Sequence, residues 1–372
     1  MKNRFRNQAI ILMVLGVLVI TLESSNGAIN NNHDLSIQMV PQIEEIAHIS
    51  STGGDTFSTI TYDDVLIAMD MNAELKFYNI SDPANPVYEA YFNDGGIAHD
   101  MYKEGDLLYL ADHYQGLEIY NISNPFSPVK LGSIADVGDG EMDGVFVKDE
   151  LAYVAEWHDS TWDWSMKIIN VTDPTTPVEV VEYTDDDNLF IRFFVKDELC
   201  YTSCLEGGFK ILNISEPLSI SEVSHFEDLY YAMEFVLIDD TVYLADGEGF
   251  NILDVSSVDS PTKIGNYSTP LAAFGCDVSD DIAYMGVMDT GLYILNISDS
   301  QNIIKIGEFA ADNIVNIEVQ GDLVFLSMHG DGLKILRVTL VNPTDSTPLP
   351  FFPMLLVLPV LLMIKKKRRN NN

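Results

Sequence analysis

The sequence predicts an all-β protein, a seven-bladed β-propeller of four-stranded blades, on three observations. The first is a repeat. The stretch Gly116-Leu117-Glu118-Ile119-Tyr120-Asn121-Ile122-Ser123-Asn124-Pro125 recurs with its Asn or Asp at Asn79, Asn121, Asn170, Asn213, Asp254 and Asn296, and a degenerate seventh copy at Arg337. The spacings are 42, 49, 43, 41, 42 and 41 residues, the period of propellers and solenoids. The second is that each unit divides into four short strand-like runs. The third is that the ends are complementary. The proline-led run Pro41–Ile49 has no hairpin before it, and the run Gly332–Val338 has no proline-led run after it. Pairing these two closes the ring and leaves only short, protected sheet edges. A β-solenoid is the structural alternative, but its units are shorter and would not leave matching half-blades at both ends.

Within one unit the runs are Val87–Phe92, Ala98–Lys103, Leu107–Ala111 and Gly116–Ile122. The third alternates as Leu107/Tyr109/Ala111, echoed by Leu151/Tyr153/Ala155, and this period of two in β-branched and aromatic residues reads as a strand. Gly105-Asp106, Asp149-Glu150, Asp239-Asp240 and Gly321-Asp322 stand where a tight hairpin turn is needed. The fourth run ends in Asn-Ile-Ser-x-Pro, where Asn and Ser cap local backbone and the proline bars a continuing ladder. The sequons in these turns are the repeat's own turn motif; Asn266-Tyr267-Ser268 lies outside it and is the independent glycosylation candidate.

The cores Leu117–Asn121, Phe250–Asp254 and Leu292–Asn296, and the run Val145–Ala155, resemble the LVIVD repeat family over residues 41 to 338. The resemblance implies an extracellular or envelope β-propeller and carries no catalytic residue over. Most copies here have Asn where the family's motif has Asp, which alters a turn residue and not the fold.

The expected organisation is a signal peptide over residues 1–28, a linker over 29–40, the propeller over 41–340, a Pro/Thr/Ser linker over 341–348, a transmembrane segment or sorting signal over 349–364, and a basic cytoplasmic tail over 365–372. Lys2, Arg4 and Arg6 precede an apolar run from Ala9 to Leu22 and a small polar segment, the order of a secretory signal. An uncleaved N-terminal anchor is the alternative. At the other end an apolar tract meets Lys365–Arg369, which fits an anchor with a cytoplasmic tail. Sixteen residues would make a helix only about 24 Å long, and Pro353 and Pro359 shorten it further, so the tail also resembles a prokaryotic sorting signal. Either way the propeller is expected outside the membrane, at the cell surface.

Without these ends the chain keeps 12 basic and 56 acidic side chains, a formal charge of −44. That charge repels phosphate-rich partners and excludes nucleic acid. The expected partner is an extracellular protein or glycan, taken by a monomeric ring. Cys200, Cys204 and Cys276 read as small buried hydrophobes: the first two lie four apart on one strand, roughly 13 Å by strand rise and beyond disulfide reach.

Chemistry is expected where the repeat is broken. The third unit is the longest, and its excess lies in Glu156–Ser165, which holds all three tryptophans, Trp157, Trp162 and Trp164, together with His158 and Asp159. Aromatic side chains in a loop suit recognition; packing as a lid on the neighbouring blade is the structural alternative. The acidic stretch Asp136–Gly144 enters the same unit, and its Asp139-x-Glu141-x-Asp143-Gly144 has the alternating oxygens of a calcium loop, so Ca2+ is the one cofactor expected. Both segments are expected on one face of the ring. His99, Asp100, Asp112 and His113 lie at the matching loops of the preceding unit, and with His158 and Asp159 could serve metal binding or hydrolysis. Asp100, Arg192, Glu234 and Asn316 align at one point just before the innermost strand, around the channel mouth. No nucleophile with a positioned base and no phosphate loop is apparent. A non-catalytic binding or adhesion module is therefore expected, with an envelope hydrolase or lyase, or a purely structural surface protein, as alternatives.

Overall fold

The hairpin turns set the architecture. At the first central position of each innermost hairpin stands Asp63, Gly105, Asp149, Asp197, Asp239, Asp280 or Gly321, all with φ between 49° and 66°. Glycine reaches this left-handed region at no steric cost, and Asp tolerates it better than most residues. At the far side of each sheet the Asn-x-Ser/Thr motif closes an Asx turn. Asn79, Asn121, Asn170, Asn213 and Asn296, and Asp254 in blade five, each accept through Oδ1 the N–H of the residue two on, at 2.9–3.0 Å. These two turn types, repeated, fold the chain into successive four-stranded antiparallel meanders.

The computed structural model describes residues 39–341 apart from 51–55, 71–73, 94, 114, 136–139, 159–162 and 186–188. Pro41–Thr339 form one compact unit. Its strands make seven sheets of four. Blade one is Thr56–Tyr62, Val65–Asp70, Glu74–Asn79 and Val87–Asn93; blade two is Ala98–Glu104, Leu107–Asp112, Gly116–Asn121 and Val129–Ile134; blade three is Gly140–Lys148, Leu151–His158, Asp163–Asn170 and Val178–Thr184. Blades four to six begin at Arg192, Phe235 and Ala273. Blade seven takes Ile314–Gln320, Leu323–Met328 and Gly332–Val341 from the C-terminal side, and Val40–Ile49 as its fourth strand. The N- and C-terminal strands thus close the ring, as their unpaired repeat halves require. The proline-led strand is the outermost of each blade.

Buried apolar side chains lie between neighbouring blades, so each blade is held by its neighbours. Phe77, Leu75 and Ile67 of blade one pack on Leu108, Leu110 and Tyr120 of blade two, and Tyr109, Leu117 and Ile119 pack on Met142, Val145 and Val154 of blade three. Cys200, Cys204 and Cys276 are buried free thiols within these layers, pushed up by burial, Cys204 to about 12.

One core position of the repeat is charged. The residue three before the closing Asn of the third strand is Lys76, Lys167 or Lys210 in blades one, three and four, and each ammonium meets a carboxylate: Asp70 at 2.9 Å, Glu156 at 2.7 Å, and Asp185 and Glu222 at 2.5 and 2.7 Å. Blade two reverses the signs, with buried Glu118 facing Lys130 from the fourth strand. Charges this buried persist only when paired.

The segment 1–28 expected as a signal peptide, the linkers apart from Met39, Val40 and Val341, the apolar segment 349–364 and the tail 365–372 lie outside the described residues. Among the described residues no helix is long and apolar enough to cross a membrane.

Candidate functional site

The loops entering each innermost strand and those joining the second and third strands lie on one face, and the candidate residues sit there. Many of its polar groups are structural. Asp112 is fully buried and caps its own turn, accepting the Gln115 N–H at 2.7 Å. Asp70 and Asp246 hold the matching turns through the N–H of Glu74 and Glu248, so Asp112 is a turn anchor of the repeat.

Asp100, Arg192 and Glu234 are linked. Arg192 Nη1 lies 3.1 Å from Asp100 Oδ2, and its Nε donates to Glu234 Oε2 at 2.9 Å. Asp100 also accepts the Val145 N–H of blade three at 3.0 Å. A similar clasp, two residues further along the inner strand, forms where Asp277 accepts the Val319 N–H and Glu318 the Thr61 N–H, at 2.7 and 2.9 Å. Asn316, at the ring closure, approaches the Thr59 N–H at 3.4 Å. Burial raises Asp277 to about 6 and Glu318 to about 7. It raises Asp100 too, against the opposing pull of Arg192. These carboxylates stitch one blade's inner strand to the next.

A different set meets across the seam of blades two and three. His99, near the start of blade two's inner strand, bonds through Nδ1 to Asp143 Oδ1. His113, just past the second strand, pairs through Nε2 with Glu141 Oε1. The two imidazole centroids are 5.2 Å apart. Phe57 of blade one stacks on His99 at 5.9 Å, and His329 of blade seven meets Phe57 edge-on at 6.3 Å. The four polar side chains are 16–27% exposed, reachable yet partly desolvated. Burial lowers the His99 pKa, but Asp143 and Glu141 outweigh it, and the net shift is upward.

Bulges aim these side chains. The inner strand is irregular between Ala98 and Asp100 in blade two and between Met142 and Gly144 in blade three. Blades one, six and seven carry a similar shift near the start of theirs. A bulge breaks the period of two and re-aims a side chain. Here it turns His99 and Asp143 toward one another.

The acidic stretch is therefore not an open loop from Gly140 onward. Gly140–Gly144 belong to the innermost strand of blade three, and Glu141 and Asp143 each face an imidazole rather than one another around a turn; Asp139 lies outside the described residues. The insert likewise lengthens two strands: Leu151–His158 and Asp163–Asn170 pair to the end, Trp157 opposite Trp164 and His158 opposite Asp163. Glu141 pairs with Trp157 on the neighbouring strand, so the acidic stretch and the tryptophan insert do adjoin. Trp164 is buried and Trp157 packs on it edge-on at 5.1 Å, so these two rings brace the long hairpin. Asp159 and Trp162 lie outside the described residues.

His158 turns toward the outer strand, 3.2 Å from Glu182, 3.4 Å from Glu156 and 3.4 Å from the Ser165 hydroxyl. His99, Asp100 and His158 thus belong to three separate polar groups. Sequence reasoning did not single out Phe57, His329, Glu156 or Glu182. His329 was legible, since His113 and His329 each precede the glycine of a third strand by three residues. Glu182 carries no signal, because its meeting with His158 depends on strand register.

Comparison with known proteins places this fold. The crystal structure of the computationally designed Ika8 protein superposes with a TM-score of 0.58 at 7% identity, covering 79% of this chain and 99% of that one. The β-propeller domain of Myceliophteria thermophila Cps50 (Swd1) gives 0.63 at 11% identity, covering 80% and 100%. At such identities the likeness is one of fold alone. No curated protein matches the sequence. The LVIVD repeat model matches residues 95–136, 139–185, 231–269 and 273–310, which are blades two, three, five and six with their entering turns. With four stretches matched to the LVIVD repeat in a ring of like blades, the chain is a β-propeller that carries LVIVD repeats.

Proposed function

We propose that this chain is a non-catalytic binding module held at the outer face of the cell membrane, taking an extracellular protein or glycan on the rim of blades two and three. The observation that carries this reading is the meeting of His99 and His113 with Asp143 and Glu141 across one seam, partly exposed. The other polar groups at the channel mouth are occupied as blade clasps and turn anchors. The long hairpin of blade three stands beside the cluster and would form one wall of the contact. The surface location rests on the basic–apolar–polar leader, the apolar tract with its basic tail, and the net acidity of what lies between. The alternative hydrolase or lyase asks for His99, Asp100 and His158 together. Their separate engagement supports the binding reading instead.

The test is binding of the soluble ectodomain, residues 29–345, to isolated cell envelopes, wild type against a His99→Gln/His113→Gln pair. Binding weakened at least tenfold in the variant is expected. Equal binding by both would move the contact away from this rim. No binding by the wild type would leave a structural surface protein as the better account.

A further inference from the structure

The imidazole–carboxylate cluster has the donors of a metal centre. One ligand atom each from His99, His113 and Asp143 lie within 4.8 Å of one another. Donors around a tetrahedral zinc ion with bonds of ~2.0 Å lie about 3.3 Å apart, so modest side-chain movement suffices. The three come from two blades, and each is held from outside the cluster. Phe57 lies flat against His99, the backbone N–H of His113 donates to Ile97 O at 2.7 Å, and Asp143 sits at the bulge of its strand. Glu141 contacts His113 Nε2, the place of the carboxylate that orients a ligating imidazole in metal sites.

The donor chemistry selects the metal. Calcium and magnesium take oxygen ligands almost throughout, whereas two imidazoles with one carboxylate suit zinc and its first-row neighbours. The calcium spacing in the sequence thus yields carboxylates that serve a different ion once blade two is docked. Arg192, a cation that bears electrostatically on His99, is itself flanked by Asp100 and Glu234. A second His/carboxylate group, Glu156, His158 and Glu182, is a poorer cation site, because the Lys167 ammonium already lies 2.7 Å from Glu156.

We propose that His99, His113 and Asp143 bind a divalent transition-metal ion of the zinc class, with Glu141 orienting His113 and one coordination position left to water or a ligand group. The ion takes the place of the proton between His99 Nδ1 and Asp143, while His113 keeps its Nε2 proton on Glu141, so metal binding releases a proton and strengthens with rising pH. The site shares its rim with the proposed contact surface but does not depend on it. Zinc uptake without envelope binding would leave the site standing and remove only the surface role.

The test uses the full chain in detergent, stripped of metal and then equilibrated with Zn2+, Co2+ or excess Ca2+. Bound metal per chain and the visible Co2+ spectrum are the readouts. One equivalent of zinc or cobalt is expected, undisplaced by calcium. His113→Gln and Asp143→Asn should each weaken binding about 100-fold or more, and Glu141→Gln by roughly 10–100-fold. His158→Gln should leave it unchanged. Because His99 also packs on Phe57, the His113 and Asp143 variants carry the test, each checked by a metal-free thermal midpoint matching the wild type. Metal should raise that midpoint in the wild type and not in these two. The proposal is overturned if the wild type retains no zinc, if a His99→Gln/His113→Gln pair retains as much, if calcium binds in zinc's place, or if the loss follows His158→Gln.

Discussion

Replacing Lys167 by Met tests whether the charged core position of the repeat is held by pairing. Glu156 is fully buried and Lys167 only 5% exposed, with Nζ 2.8 and 2.7 Å from the two carboxylate oxygens. Removing one partner of such a pair strands the other and costs about 3–5 kcal/mol. The Ser165 hydroxyl at 3.3 Å and His158 at 3.4 Å still reach Glu156, which places the expected loss nearer ~3 kcal/mol. Lys167→Met combined with Glu156→Gln leaves no stranded charge and should cost only about 1 kcal/mol, the scale of ordinary hydrogen-bond exchange. Urea unfolding followed by fluorescence of Trp157 and Trp164, which pack in the same hairpin, gives the double-mutant cycle. Because Glu156→Gln alone strands Lys167 in turn, a coupling of at least about 2 kcal/mol is expected. A coupling below about 0.5 kcal/mol, or a double variant as unstable as Lys167→Met alone, would refute the view that the buried carboxylate needs its lysine.

Stability should also fall as pH rises through the window set by the blade clasps. Burial raises Asp277 from 3.8 to about 6 and Glu318 from 4.5 to about 7. Between pH ~4 and ~7 the folded chain therefore binds more protons than the unfolded one, and unfolding free energy declines over that range by a few kcal/mol at most. Urea midpoints at pH 5 and pH 8 check this; Glu318→Gln should flatten part of the slope, and a midpoint that rises with pH would contradict it. The three cysteines, all buried with their thiols pushed up, should resist a thiol reagent in the folded protein and react only after denaturation. Fast labelling of the native chain would show that the seams of blades three to six open.

The sequence by itself determined the ring. The period counts the blades, the Asp or Gly of each innermost hairpin and the Asn-x-Ser/Thr of each outer turn state where the chain reverses, and the unmatched runs at Pro41–Ile49 and Gly332–Val338 specify closure. These are local requirements of backbone geometry, repeated often enough to be legible without contacts. Strand bounds in the second unit agree with the expected runs to within one residue. The shared face of the acidic stretch and the tryptophan insert was legible as well, because it follows from topology alone.

Only the tertiary structure decided which side chains meet. His99 and Asp143 are 44 residues apart, about one repeat, so the sequence places them on one face of adjacent blades. Their contact depends on bulges at Ala98/Asp100 and Met142/Gly144, and a bulge shifts the alternation by one residue without any marker in composition. For the same reason Glu141 and Asp143, which read as part of a calcium ladder, are shared out between two imidazoles. Trp157 and Trp164, which read as part of an exposed loop, extend a hairpin instead, where Trp164 is buried and Trp157 packs on it. Side-chain direction in a strand is set by register with its neighbours, and register is a property of the assembled ring.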